Sequence, residues 1–160
     1  MEAKKRGWNG RVFLAESRPR NEGAILAGAL AKAGLPVTLS VDTLIPELIE
    51  RSKAVFLGAD AVTPSYFVNK IGSRIAVEFA DRLGKPVYVA GDRGKLISNK
   101  DYEFVPDSNP SLEIVRLQDK RLRVENRYFE KIIPSGRFNY ICGSRLYKPA
   151  EIKNILKRKI

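Results

Sequence analysis

The sequence contains no histidine and only one cysteine, Cys142. Without histidine, a chain cannot assemble a Ser-His-Asp triad, a Cys-His dyad or a zinc site with mixed Cys and His ligands. A single cysteine cannot form an intrachain disulfide. Any acid–base chemistry must therefore use Asp, Glu, Lys or Tyr side chains, and the sequence suggests neither a metal site nor a cofactor.

Long apolar runs are also missing. No uninterrupted run approaches the roughly 18 residues that a membrane-spanning helix needs, and no apolar segment follows the basic N-terminal stretch MEAKKRGWNG, as a secretory signal would require. These features predict a cytoplasmic protein without a membrane partner. A length of 160 residues, with 44% hydrophobic residues, predicts one globular domain over residues 1–160.

Acidic residues are outnumbered, with 18 Asp and Glu against 29 Lys and Arg, a formal net charge of +11. Such an excess favours anionic partners: RNA, a phosphorylated small molecule or an acidic protein. Part of the excess lies near the chain ends, in KKR (4–6) and KRK (157–159). A merely solvated basic surface explains those two clusters equally well.

Short β-branched segments alternate with helical patterns in the first 91 residues, in the order RVFLAE (11–16), PVTLSV (36–41), AVFLGA (54–59) and PVYVAG (86–91). This alternation predicts an α/β fold, Rossmann-like and three-layered, with a mostly parallel sheet and helices on both faces. The intervening helices are predicted to end at Gly34 and Gly84, and Asn69 is predicted to cap the third helix.

The pattern loosens after Lys95. SNKDYEFVPDSNP (98–110) is rich in turn residues and predicts a loop. SLEIVRL (111–117) and RLRVENRYFEKII (121–133) predict edge strands or a ribbon, and FNYIC (138–142) predicts a last strand. PAEIKNILKRKI (149–160) predicts a closing amphipathic helix that begins at Pro149, with Ile152, Ile155 and Leu156 facing inward.

An acidic residue stands at the end of each of the four strands, and the first and last strands add cations nearby. Ligands of open parallel sheets bind beyond the carboxyl ends of the strands. One such acid is readily explained as a helix N-cap, and Asp42 is predicted to be one. All four together predict a polar, ligand-binding rim formed by Glu16, Asp42, Asp60 and Asp92.

The pair Asn69-Lys70 adds an anion-binding feature, because a helix N-terminus beside a lysine suits phosphate or carboxylate. Taken alone, an ordinary capped helix explains it better. Other phosphate motifs are missing: GDRGKL (91–96) lacks P-loop spacing, and GALAKAG (28–34) lacks the glycine fingerprint of dinucleotide-binding folds. Cys142 lies in an apolar strand and is predicted to be a buried, unreactive thiol.

Five motifs in order, ESRPRNEG, VTLSVD, VFLGADAV, NKIGS with IAVEFA, and GKPVYVAGDRGK, resemble one family. It comprises the α/β/δ-type subunits of translation initiation factor 2B and related sugar-phosphate isomerases acting on methylthioribose 1-phosphate and ribose 1,5-bisphosphate. The resemblance covers residues 10–96 and continues weakly through RYFEKIIP, which ends at Pro134. It implies a Rossmann-like domain, related to the family's C-terminal domain, that binds a phosphorylated ligand at the carboxyl edge of its sheet.

The resemblance also implies roles for individual residues. Asp60 matches the acid–base aspartate of the isomerases, and Asn69 and Lys70 match the pair that holds substrate oxygens and phosphate. Glu22 matches a position that contacts the sugar. Together with the charged residues at strand ends, the predicted ligand-binding set is Glu16, Arg18, Arg20, Glu22, Asn69, Lys70 and Lys95.

The sequence departs from the family pattern in several places. The family's catalytic cysteine, and the strand that carries it, precede ESRP and are not in this sequence, and neither is the helical N-terminal domain. AVTPSYFV (61–68) is one residue shorter than usual and lacks a glycine, and YICGSRLYKP (140–149) lacks the family's Thr and Glu. The missing strand is central in the family's sheet, so we expect strands 11–16 and 54–59 to pair directly, or a C-terminal strand or a partner chain to replace it. Either a rearranged sheet or a homodimer follows.

Three functions are compatible with these observations. The preferred interpretation is a non-catalytic binding or regulatory module for a phosphorylated sugar or nucleotide, because the motifs are present without the cysteine. The first alternative is an aldose–ketose sugar-phosphate isomerase that uses Asp60. The second is an RNA- or ribosome-associated basic protein, although no RRM-type stacking motif is present.

Overall fold

The computed structural model describes residues 2–117 and 119–157. The chain divides into two compact units between Ser52 and Lys53. No helix in the described ranges is long and apolar enough to cross a membrane.

The first unit is a strand–helix–strand arrangement followed by a short helix. Its elements are α1 (Glu2–Lys5), β1 (Val12–Ala15), α2 (Glu22–Lys32), β2 (Val37–Ser40), a 3-10 turn (Asp42–Leu44) and α3 (Ile45–Arg51). β1 and β2 pair in parallel, in a register that joins Val12 to Val37 and Ala15 to Ser40. Gly34 adopts a φ of 78° and its N–H bonds to the carbonyl of Ala31, so it ends α2 as predicted.

The two longer helices of the first unit differ in burial, because α2 buries little of its apolar surface and α3 buries more. Ala27 is the one described residue of α2 classed as buried, and Ile25 is 72% exposed. In α3, Leu48 and Ile49 are buried. The apolar spacing thus locates α2 in the sequence, but most of its apolar side chains are not covered by the described structure.

The second unit contains two sheets. Its elements are β3 (Val55–Gly58), β4 (Ala61–Val62), β5 (Phe67–Lys70), α4 (Ser73–Arg82), β6 (Val87–Ala90), β7 (Phe129–Ile132), β8 (Phe138–Cys142), β9 (Arg145–Tyr147) and α5 (Pro149–Lys157). The larger sheet has the order β3-β6-β8-β9 and is parallel except for β9. The smaller sheet, β4-β5-β7, is antiparallel. These elements confirm the mixed α/β fold with mostly parallel pairing in its larger sheet.

The core of the second unit centres on Phe67, which is fully buried. Its ring centroid lies 5.4 Å from that of Phe138 and 6.3 Å from that of Tyr140, so β5 of the small sheet packs on β8 of the large one. Val87 and Val89 alternate into the same core, as expected for a strand with one buried face. Ile152 of α5 is also fully buried, as predicted; Ile155 and Leu156 are half-buried.

The prediction that Asn69 caps the third helix is wrong. Asn69 and Lys70 are the last residues of β5, and α4 begins at Ser73 after Gly72, which has a φ of 92°. The strand forms because these two residues pair with Glu130 and Phe129 of β7, about 60 residues further along the chain. Local sequence carries no signal for such a long-range pairing.

Residues 98–128 contain no strand among those described, so the predicted strand at 111–117 is wrong and that at 121–133 is reduced to β7. Side chains rather than a ladder satisfy the backbone here. The Asp107 carboxylate accepts hydrogen bonds from the backbone N–H groups of Tyr128 and Phe129 at 2.8 and 3.2 Å. Buried Asn126 donates to the carbonyl of Pro110 and to Glu113, each at 2.8 Å.

The central strand of the family is not replaced from within the described residues. β1 pairs only with β2, β3 pairs only with β6, and β8 adds on the far side of β6. Neither direct pairing of β1 with β3 nor replacement by β8 is therefore seen in the ranges given above. A partner chain remains a prediction. The predicted extension of the closing helix over residues 158–160 lies outside the described residues.

Candidate functional site

Asp60 and Lys95 form the centre of the candidate site in the second unit. β3 and β6 pair in parallel, with Gly58 opposite Ala90, so the residues that follow the two strands emerge side by side. The Lys95 ammonium nitrogen lies 4.0 Å from a carboxylate oxygen of Asp60 and donates a 2.5 Å hydrogen bond to the carbonyl of Ala59. The two side chains are 39% and 50% exposed, so both the cation and the carboxylate are accessible from solvent.

Asp92 shapes the turn that presents Lys95. Its carboxylate accepts hydrogen bonds from the backbone N–H groups of Gly94 at 2.7 Å and Lys95 at 3.3 Å, closing a single 3-10 turn over Arg93–Lys95. A carboxylate that satisfies the first N–H groups of a helical turn is a standard cap. Of the four strand-end acids, Asp92 is therefore the one that acts as an N-cap.

Asn69 lies beside the end of β3. Its amide donates a 2.8 Å hydrogen bond to the Ser73 hydroxyl, and its Oδ1 lies 3.6 Å from the place that a Cβ on Gly58 would occupy. The backbone N–H of Asp60 in turn bonds to the carbonyl of Val68, the residue before Asn69. The turn Gly58–Asp60 and the end of β5 are thus held next to each other.

Lys70 has different neighbours from Asn69, because successive residues of a strand point to opposite faces of the sheet. Its ammonium nitrogen lies 4.9 Å from the centre of the Tyr128 ring, a cation–π distance. Lys70 is the last residue of β5, before α4 begins at Ser73, so the prediction that it stands beside the first N–H groups of that helix is wrong. The cause is again the strand conformation of residues 67–70. That Asn69 and Lys70 both bind the ligand remains a prediction.

Tyr102 is a residue that the sequence reasoning missed. Burial raises the pKa of its phenol, and the charges of Tyr66 and Asp60 raise it further. The Tyr66 hydroxyl donates to the Tyr102 carbonyl at 3.1 Å, anchoring this part of the irregular segment. Its one sequence signal is an aromatic residue among turn formers at 98–110, which is too weak to identify a site.

The turn ESRPRNEG forms the candidate site in the first unit. The backbone N–H groups of Ser17 and Arg18 donate to the two carboxylate oxygens of Asp42, each at 2.7 Å. Ser17 has a φ of 65°, and the N–H of Asn21 bonds back to its carbonyl at 2.9 Å. Asp42 is therefore not the N-cap predicted from sequence; it opens its own 3-10 turn and ties down the turn after β1.

The remaining predicted residues of the first unit lie on this turn and at the start of α2. Glu16 is half-buried and its N–H bonds to the Ser40 carbonyl at 2.8 Å, while Arg18, Arg20 and Glu22 are exposed. That the strand-end residues of both units form one rim remains a prediction. Within the second unit, the structure brings Asp60 and Lys95 together, with Asn69 beside the same turn.

The described side chains offer acid–base and anion-binding chemistry. Among them, no group of three or more His, Cys, Asp or Glu residues is arranged to hold a metal ion. Cys142 is buried in β8, as predicted, and its lack of reactivity stays a prediction. The candidate site of the second unit offers the carboxylate of Asp60 and the ammonium of Lys95.

Comparison with known proteins gives a consistent result. The chain is 33% identical over 98 residues to translation initiation factor eIF2B subunit alpha of Caenorhabditis elegans, covering 61% of this chain and 32% of the relative. It is 30% identical over 125 residues to ribose 1,5-bisphosphate isomerase of Methanocaldococcus jannaschii, covering 75% of this chain and 41% of the relative. The chain thus spans about a third to two fifths of the length of these relatives.

A solved structure shares the fold of this chain. The crystal structure of the eIF-2B delta subunit from A. fulgidus superposes with a TM-score of 0.82 at 24% identity, covering 97% of this chain and 48% of that one. The family model for the initiation factor 2 subunit family matches residues 1–142. That range includes β1 to β8 and every residue of both candidate sites. The chain belongs to the initiation factor 2 subunit family.

Proposed function

We propose that this chain binds a phosphorylated sugar through residues at the carboxyl ends of its parallel strands. The observation that carries the proposal is the pairing of Lys95 with Asp60, at 4.0 Å, where β3 and β6 end side by side. An ammonium offers three N–H donors. One of them donates to the Ala59 carbonyl at 2.5 Å, whereas the Asp60 carboxylate, at 4.0 Å, lies beyond hydrogen-bond distance.

The charges suit a ligand with both phosphate and hydroxyl groups. Lysine binds phosphate as a compact positive charge, whereas a carboxylate accepts hydrogen bonds from sugar hydroxyls. Both occur within one short segment of surface here. In the second unit, the proposed ligand-binding residues are Asn69, Lys70 and Lys95, with Asp60 contacting the sugar. In the first unit, they are Glu16, Arg18, Arg20 and Glu22.

Isothermal titration with ribose 1,5-bisphosphate tests binding, because a relative that is 30% identical is named for that substrate. Ribose without phosphate and inorganic phosphate serve as ligand controls. We expect Lys95→Met to weaken binding at least tenfold, which corresponds to about 1.4 kcal/mol. Lys100→Met, five residues away on the same exposed loop, should leave the affinity unchanged. Equal losses in both variants, or no binding by the unmodified chain, would contradict the proposal.

A second candidate, aldose–ketose isomerisation, is favoured by the same relative's name. In this reaction a proton leaves one sugar carbon and is returned to its neighbour, so a positioned carboxylate is the minimum requirement. Asp60 is half-exposed and can reach a ligand. If the chain is an isomerase, Asp60→Asn should abolish formation of the ketose and leave ligand binding within a few-fold of normal. Binding without any turnover by the unmodified chain would support a binding module instead.

A further inference from the structure

The Asp42 carboxylate, which follows β2, holds the turn ESRPRNEG. Both of its oxygens are engaged, each by one of two consecutive backbone N–H groups at 2.7 Å. From this geometry we infer that Asp42 is a positioning residue for ligand binding: it sets the course of the turn that carries Arg18, Arg20 and Glu22. The inference rests on the proposed function, because it assigns Asp42 a role in ligand binding by this turn of the first unit.

The turn has a conformation that needs such support. Ser17 adopts a φ of 65° and Asn21 one of 58°, a left-handed region that residues other than glycine enter rarely. A hydrogen bond from a backbone N–H to an ionised carboxylate is roughly twice as strong as one between neutral groups. Two such bonds to Asp42 hold the turn at Ser17 and Arg18, which lie 25 and 24 positions away in the sequence.

Because these two amides are held in place, the backbone that carries the charged side chains is held in place as well. Arg18 contributes one of the two N–H groups, so its Cα is anchored directly. The N–H of Asn21 bonds to the Ser17 carbonyl at 2.9 Å, which carries the constraint across Pro19 and Arg20 to the start of α2. If the turn is already ordered before the ligand arrives, less conformational entropy is lost on binding than if the ligand has to order a loose turn.

The substitution Asp42→Asn separates positioning from charge. Asparagine has the same shape, but one of its two terminal groups is an N–H donor and cannot accept from a backbone N–H. The turn therefore loses one of its two anchors. Removing a negative charge near an anionic ligand should by Coulomb's law strengthen binding slightly. If Asp42 acts by positioning the turn, Asp42→Asn should instead weaken binding.

Glu47→Gln is the matched control for charge. Glu47 lies on α3 in the same unit, pairs with Arg51 at 3.6 Å, and is about half exposed, so its loss changes the net charge equally without touching the turn. We expect Asp42→Asn to weaken binding of ribose 1,5-bisphosphate at least tenfold in isothermal titration of the full chain. Glu47→Gln should bind as tightly as the unmodified chain or slightly more tightly.

The amide proton shifts of Ser17 and Arg18, measured by NMR on the same samples, show whether the anchor is lost. A drop in affinity together with displaced shifts at these two amides supports the inference. A drop without displaced shifts, displaced shifts without a drop, or equal effects in Glu47→Gln would overturn it. If the unmodified chain binds no ligand, the proposed function fails and the inference with it, whereas normal binding by a folded Asp42→Asn variant overturns the inference alone.

Should Asp42→Asn fail to fold, Asp42→Glu decides the question, since it keeps the charge and both acceptors one methylene further out. If its Ser17 and Arg18 shifts match those of the unmodified chain, its affinity must match as well. If the shifts move, the affinity must fall. Any other combination overturns the inference.

Discussion

Gly23, the second residue of α2, lies directly against the carbonyl group of Ala15, the last residue of β1. A Cβ built on Gly23 would fall 1.9 Å from that oxygen, far inside van der Waals contact. The close approach lets α2 start within the motif ESRPRNEG itself, at Glu22. The glycine of this motif is therefore required by the packing of helix on strand.

We expect Gly23→Ala to lower the free energy of unfolding by about 1–3 kcal/mol, the usual cost of forcing extra atoms into a filled space. Gly28, five residues along the same helix, is the matched control because its Cβ would meet nothing within 4 Å. Gly28→Ala should raise stability by about 0.5–1 kcal/mol, since alanine loses less backbone entropy in a helix. Urea unfolding of the two variants measures both, and effects of the same sign would refute this reading of Gly23.

Tyr140 is a buried phenol whose hydroxyl has no hydrogen-bond partner among the described residues. An unsatisfied buried polar group costs about 1–3 kcal/mol. Tyr140→Phe should therefore leave stability unchanged or raise it by up to that amount. Tyr88→Phe on the adjacent strand β6, where the side chain is half-buried, should change stability by less than about 0.5 kcal/mol.

The same residue predicts a dependence on pH. Burial raises the pKa of Tyr140 well above its ordinary value of 10.0. Above pH 10 the phenol stays neutral in the folded chain but ionises in the unfolded chain. The contribution of this group to the free energy of unfolding is therefore fully present below pH 10 and decreases as the pH rises above it. The advantage of Tyr140→Phe over the unmodified chain should grow above pH 10 in urea unfolding. An advantage that is constant from pH 8 to pH 11 would contradict the assignment.

Asp107 should make the segment 98–128 sensitive to acid. Burial alone would raise the pKa of Asp107, but hydrogen bonds from the backbone N–H groups of Tyr128 and Phe129 and from Asn109 outweigh it, and the pKa is lowered overall. Its stabilisation is therefore present above the ordinary value of 3.8 and is lost as the pH falls through the lower pKa of the folded chain.

Asp107→Asn should lower stability at pH 7 by about 1–3 kcal/mol, because two partly buried N–H groups lose a charged acceptor. The loss should shrink below pH 4, where the unmodified chain loses the same carboxylate. Asp119→Asn is the control: that exposed carboxylate accepts hydrogen bonds from Arg121, two residues away. Urea unfolding at pH 7 and pH 3 compares them, and a loss for Asp107→Asn that is equal at both values would argue against this role.

Phe67 should dominate the stability of the second unit. It is fully buried and its ring contacts those of Phe138 and Tyr140. Phe67→Ala should cost about 3–5 kcal/mol, the usual price of deleting a core aromatic side chain. Phe56 is 69% exposed and stacks on the ring of Tyr88, so Phe56→Ala should lower stability by less than about 1.5 kcal/mol. Similar losses for the two would show that Phe67 is not central to the core.

The sequence predicts the elements whose signals are local. β1, β2, β3 and β6 each lie within one residue of their predicted ends, because β-branched runs between glycine-ended helices leave little choice. Asp60 and Lys95 could be predicted to meet, since each follows a strand of the same parallel sheet. The family's motifs cluster at those same strand ends, which is why the resemblance and the strand pattern point to the same residues.

The errors come from interactions that are distant in the sequence. β5 needs β7, which begins 59 residues after β5 ends, and without that pairing NKIG reads as a helix cap. Tyr102 is held by the Tyr66 hydroxyl, 36 residues earlier in the sequence, so its position also depends on a distant contact. The role of Asp42 depends on which N–H groups face it, and helix-capping rules cannot distinguish its own turn from a neighbouring one.

The irregular segment 98–128 keeps its course through a few side chains, chiefly Asp107, Glu113 and Asn126. A β-strand in the same place would restrict every second residue by its pairing. Here most positions between the anchors face solvent, as Val105, Leu112 and Leu117 do. Substitutions at these exposed positions can therefore change the outer surface of the segment without changing its backbone path. New contacts can evolve here while the fold is kept.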